Sequence, residues 1–165
     1  MEFHIQTAST PKDYLQNSRD FCEAAKRCLY GESRIIVHDG KLSFLPIPTV
    51  VNSAFSCEMS LKAILLSRGV NIPTGRDGHN LETLFQKIDK KTQEIISRSC
   101  MPKNVMDPHN AFLSILRKHK NDFTETRYYV EKTCWQEMSP MTMLAIANNL
   151  LIIAGDLIEG ESKSN

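Results

Sequence analysis

Glu58 and Lys62 stand four residues apart in Thr49–Leu66, a segment that is otherwise uncharged. At about 100° per residue, Val50, Val51, Ala54, Leu61 and Leu65 fall on one arc of a helix. Glu58 lands near the middle of that arc and Lys62 lies beside it. The opposite face carries Asn52, Ser53, Ser56, Ser60 and Ser67, with no charge at all. An exposed amphipathic helix has this arrangement the other way round. A carboxylate and an ammonium on an apolar face either brace a scaffold or face a cleft where they can do acid–base or anion-binding work.

A second pair repeats the pattern. With residues 109–135 mostly helical, Phe112, Leu116, Phe123, Val130 and Cys134 form one stripe, Arg127 sits within it, and Glu131 follows at its edge. As solvated i,i+4 pairs, each couple contributes roughly 0.3–0.5 kcal/mol. As buried charges, each costs several kcal/mol unless paired and hydrogen-bonded. Their place on the apolar faces favours a shared network of Glu58, Lys62, Arg127 and Glu131 between two packed helices.

His79 is the other residue with chemical promise. It follows Gly78 at the expected mouth of a helix, where backbone N–H groups favour an anion and an imidazole can reach across a cleft. Arg76 in the preceding loop, and Arg117 and Lys118 in the run Arg117–Lys120, are candidate phosphate contacts. Simple capping at His79, and solvated side chains at the other three, are the alternatives. The five histidines and five cysteines show no metal-ligand spacing, and no Gly-rich phosphate loop or serine elbow is present, so neither a metal nor a cofactor is expected.

Helices must position these groups. Thr10-Pro11-Lys12-Asp13 is a helix start, with Thr10 as cap, and that helix should run to about Tyr30 before Gly31. A short β-hairpin fits residues 34–45 around Asp39-Gly40. Pro46 and Pro48 lead into the helix of the first charge pair, which Gly69 should end. A third helix is expected from His79-Asn80 through Ile96, with a break near Lys87–Thr92, and Asp107-Pro108 and Ser139-Pro140 open two more. The sum is an all-α, antiparallel up-and-down bundle of about five helices in a single domain over residues 1–160, followed by a disordered tail at 161–165.

Composition agrees with a soluble protein. The chain has 165 residues, 41% of them hydrophobic and 24% charged, and a net charge of +1, which argues against wholesale wrapping of nucleic acid but not against a local basic patch. Five scattered cysteines without a Cys-x-x-Cys suit free thiols in a reducing compartment. No signal segment is visible at the N-terminus. The apolar stretch Met141–Ile158 contains Asn148, Asn149 and Asp156, so it reads as a core helix instead of a membrane span. A cytoplasmic location without membrane contact is expected.

The string Ser56-Cys57-Glu58-Met59-Ser60-Leu61-Lys62-Ala63-Ile64-Leu65-Leu66, then a Gly-bearing loop, then Gly78-His79-Asn80-Leu81-Glu82-Thr83-Leu84-Phe85, resembles the HEPN superfamily of helical bundles. Asn121–Glu131 is similar to the Phe-x-x-x-Arg-Tyr segment of a prokaryotic branch. The resemblance spans residues 50–135 and implies a homodimeric helical bundle. It further implies either a metal-independent RNase of toxin–antitoxin or phage-defence systems, or a non-catalytic partner of nucleotidyltransferases that binds RNA or a nucleotide.

Catalytic members carry an Arg and a following His with four to six residues between them. Here Arg34 and His38 are separated by three residues, Arg76 and His79 by two, Arg117 and His119 by one, and no histidine follows Arg127. The expectation is therefore a non-catalytic HEPN-like module that binds RNA, a nucleotide or a protein partner such as an antitoxin. The alternative is an atypical RNase in which His79 acts as acid or base and Arg127 stabilises phosphate charge.

Overall fold

The computed structural model describes residues 10–30, 36–38, 41–43, 46–119 and 139–161. The fold is an all-α helical bundle. In chain order its elements are α1 (Pro11–Tyr30), a hairpin of β1 (Ile36–His38) and β2 (Lys41–Ser43), and α2 (Pro46–Ser67). A 3-10 turn (Gly75–His79) follows, then α3 (Leu81–Gln86), α4 (Lys90–Cys100), α5 (Pro108–Lys118) and α6 (Pro140–Glu161). The two strands pair antiparallel, with Val37 opposite Leu42 and His38 opposite Lys41.

Local chemistry sets most of the boundaries. Thr10 and Asp13 cap α1 reciprocally: the Asp13 N–H donates to Thr10 Oγ1 at 3.2 Å and the Thr10 N–H to Asp13 Oδ2 at 3.1 Å. Gly69, at φ +68°, ends α2. There the Val70 N–H reaches the Leu65 carbonyl at 2.9 Å and the Gly69 N–H that of Leu66 at 3.0 Å, a Schellman closure. Asp89 and Asp107 cap α4 and α5 through the N–H groups of Thr92 and Asn110. Those bonds to the ionised form hold both carboxyls below their ordinary value.

The long third helix expected from the sequence divides in two, which raises the count to six α-helices among the described residues. The break falls at residues 87–89, inside the stretch anticipated. Gln93 sustains it: its buried side-chain amide donates to the carbonyls of Ile88 at 2.6 Å and Gln86 at 3.2 Å, groups that a continuous helix would have satisfied itself. The start of this region lies where it was expected, near His79-Asn80. His79 closes the 3-10 turn, and Asn80, one residue later, is the α3 cap, accepting from the Thr83 N–H at 3.2 Å. On α4, Ile96 is buried while Ile95 is 41% exposed.

One cluster of buried side chains runs through all six helices, with Leu61, Ile64, Phe85, Ile96, Phe112 and Leu150 among its members. Phe85 and Phe112 meet edge to face at 5.0 Å between centroids. α6 is long and apolar enough to cross a membrane by length and composition alone. In this fold Met143, Ile146, Ala147, Leu150 and Ala154 are buried against the other helices. The helix continues to Glu161, so only residues 162–165 of the expected tail lie outside the described residues.

α2 is enclosed on nearly all sides. Its small polar face packs on α1. Ser18 Oγ donates to the Ser56 carbonyl at 2.9 Å and lies 2.7 Å from Ser60 Oγ, while Ser56 Oγ donates back to the Ser18 carbonyl at 3.0 Å. Phe21 stacks on Phe55 beside this cluster. Contacts that pair residue 18 with 56 and 60, and 28 with 52, make the two helices antiparallel. Cys22, Cys57 and Cys100 are buried thiols on α1, α2 and α4, and Cys28 is partly buried. Burial pushes the Cys22 thiol up and that of Cys100 up to about 12.

The hydroxyl cluster and Ser53 should respond in opposite ways to loss of an oxygen. Ser53 Oγ is buried without a hydrogen-bond partner among the described residues. Ser18→Ala is expected to lower stability by about 1–2 kcal/mol, and Ser53→Ala to leave it unchanged or raise it by up to about 1 kcal/mol. Urea denaturation of the two variants measures both. Equal losses would show that side-chain size, and not the hydroxyl bonds, sets this interface.

Candidate functional site

α2 delivers Glu58 and Lys62 into the interior from its central turns. Lys62 Nζ donates to Glu58 Oε1 at 2.7 Å, with side chains only 10% and 4% exposed. His79 reaches the same oxygen from the 3-10 turn: its Nδ1 lies 3.1 Å from Glu58 Oε1. An ionised carboxylate only accepts, so this contact assigns the ring hydrogen to Nδ1. The His79 side chain is 51% exposed, in contrast to both of its partners. A buried acid, neutralised by a buried lysine, thus fixes one edge of an imidazole that faces outward.

The loop geometry that makes this contact is tightly specified. After the Schellman closure at Gly69, the chain enters the 3-10 turn through Gly75, at φ +62°, a conformation that glycine adopts without strain. Gly78 is buried against the loop that precedes the 3-10 turn. A Cβ there would stand 2.5 Å from the Pro73 carbonyl oxygen, inside van der Waals contact. Glycine at 78 therefore lets the turn close against residue 73 and sets where His79 emerges. On the far side the Asn80 N–H donates to the Asp77 carbonyl at 3.3 Å while its side chain caps α3, so the turn is held at both ends.

The remaining candidates separate. Arg76 is exposed on the same 3-10 turn. Arg117 is committed: its Nε and Nη2 donate to Glu82 Oε1 at 3.1 and 2.7 Å, joining α5 to α3, and the bond to Glu82 raises its basicity. Lys118 is exposed, and His119 beside it is buried, so this basic run does not form one continuous surface. Arg127 and Glu131, expected to complete the charged network, lie outside the described residues. No group of three potential metal-ligating side chains converges among the described residues.

The structure thus brings together Glu58, Lys62 and His79, and adds Arg76 at the rim. Linkage of Glu58 to His79 was not anticipated from sequence. The available signal was an acid on the inner face of one helix, followed by a glycine-punctuated loop that returns a histidine. In comparisons with protein-family models, curated proteins and solved structures, the chain matches none.

Two substitutions test the geometry. Lys62→Ala is expected to cost about 3–5 kcal/mol because it strands a buried carboxylate, and the double replacement Glu58→Leu/Lys62→Met to recover most of that loss. A single-variant cost below about 1 kcal/mol in urea denaturation would mean that the pair is solvated. Gly78→Ala is expected to cost about 1–3 kcal/mol through the clash with Pro73. It should also shift the His79 ring resonances in nitrogen–proton NMR spectra; unmoved resonances would show that position 78 does not place the histidine.

Proposed function

We propose that this chain is a non-catalytic HEPN-like module that binds RNA, a nucleotide or a protein partner, and that its charged core residues serve the scaffold. The observation that carries this reading is the shared Glu58 oxygen. Lys62 and His79 both spend a polar contact on it, and the lysine and the acid are sealed from solvent. In this reading Arg127 and Glu131, which lie outside the described residues, complete the network anticipated from the sequence. Such a network fixes helix register, and a carboxylate at its centre disfavours a phosphate held deep enough for attack at phosphorus. The chain works as a homodimer in the cytoplasm, alongside a nucleotidyltransferase or an antitoxin, in a toxin–antitoxin or phage-defence setting.

A second reading, an atypical metal-independent RNase, is favoured by one feature: a half-exposed imidazole whose inner nitrogen is oriented by a buried carboxylate. In that arrangement His79 would move a proton and Arg127 would stabilise charge on the phosphate. The acid would then tune the histidine, at the cost of repelling the substrate.

Incubation of the full chain with a mixed pool of structured and single-stranded RNA in a chelator separates the two. The expected outcome is intact RNA, with Arg127→Ala lowering the melting temperature as a buried acid loses its partner. Cleavage by the wild type, abolished by His79→Ala and by Arg127→Ala in folded protein, would establish the RNase instead.

A further inference from the structure

Three residues per turn divide the 3-10 segment Gly75–His79 into three edges, because side chains at i and i+3 eclipse. Gly75 and Gly78 share one edge, and Gly78 is pressed against Pro73. Arg76 and His79 share the second. Asp77 stands alone on the third, about 120° away from the arginine and the histidine. The only acid within the turn is thereby directed off the edge that carries both basic groups.

The surroundings sharpen this separation of charge. Glu58, the acid in contact with His79, is buried and neutralised by Lys62. Glu82, just beyond the turn on α3, is paired with Arg117. Arg76 is exposed and has no hydrogen bond or ion pair with another described residue. A planar guanidinium in this state presents a fork suited to two phosphate oxygens. The Glu58 contact meanwhile limits rotation of the adjacent imidazole, which lowers the entropy lost when that ring meets a ligand.

We propose that the Arg76–His79 edge of the 3-10 turn is a phosphate-binding site, with Arg76 gripping the phosphate and His79, positioned by Glu58, flanking it. It rests on the reading of the chain as a module that binds RNA or a nucleotide, and it assigns that binding to one edge. The phosphate belongs either to an RNA backbone or to a free nucleotide. The two sources share this chemistry and differ in what else the surface must contact.

The test is fluorescence anisotropy with the full chain and a labelled, 2′-O-methylated single-stranded RNA. This probe resists cleavage by 2′-hydroxyl attack, so binding is scored separately from any nuclease activity. Arg76→Glu is compared with Lys103→Glu, the same charge change at an exposed position on the loop between α4 and α5. Arg76→Glu is expected to weaken binding about tenfold and to lower the salt slope by about one, while Lys103→Glu stays within about twofold of wild type. Arg76→Lys should recover only part of the loss, because an ammonium lacks the fork. Competition by a mononucleotide at equal phosphate concentration would assign the site to nucleotides, and competition by oligonucleotide alone would assign it to RNA.

Equal effects of the two charge reversals, or no saturable binding of the probe or the mononucleotide, would overturn the site. Cleavage of unmodified RNA with binding still dependent on Arg76 would overturn the non-catalytic reading and leave the site standing.

Discussion

A single buried carboxylate oxygen sets the terms for the middle of this protein. Glu58 Oε1 accepts from Lys62 on its own helix and meets His79 from the turn that follows. Removing a carboxylate from water is expensive, and a lysine one helical turn away does not by itself fix where the next element must lie. The histidine does. It ties the 3-10 turn, and through Asn80 the start of α3, to the centre of α2. The loop between Gly69 and Gly75 is therefore constrained at its far end by an electrostatic requirement inside the bundle. Gly78, which admits the close approach to Pro73, is the steric counterpart of that requirement.

Much of this architecture was legible in the chain. The caps Thr10 and Asp107, the stop at Gly69, and the break near Lys87–Thr92 all follow from local rules that depend on a few neighbouring residues. The burial of Glu58 and Lys62 was legible for a similar reason, since helical period places them on the apolar arc. What period does not carry is the identity of a partner on another element. The contact from His79 to Glu58 depends on the path of a loop, and that path depends on three glycines: Gly69 and Gly75 through their dihedral freedom, and Gly78 through its lack of a Cβ. His79 was accordingly expected at the mouth of a helix, and it reaches that place as the last residue of a tighter turn, one residue before the α3 cap.

The polar face of α2 shows the same limit in another form. Asn52, Ser53, Ser56 and Ser60 look like a solvent face when only polarity is counted. Counted by volume, they are the smallest side chains that still carry a hydroxyl or an amide, and they let α1 approach closely while Ser18 completes the bonding. Polarity and size pointed in different directions, and size decided. In α6 both agree: its long apolar character corresponds to a helix drawn into the core, with Ile152 and Met141 left outside.

The three sealed cysteines give this bundle a built-in set of clocks. Cys22, Cys57 and Cys100 sit on three different helices, each covered in the closed fold. A thiolate is the species that an alkylating reagent attacks, so a buried thiol reacts only when its helix opens and returns it to water. The rate at which each sulfur is modified therefore records the opening of one helix, without any label being introduced. α2, enclosed on nearly all sides and pinned through Glu58, should yield its cysteine last, and only when the whole bundle comes apart.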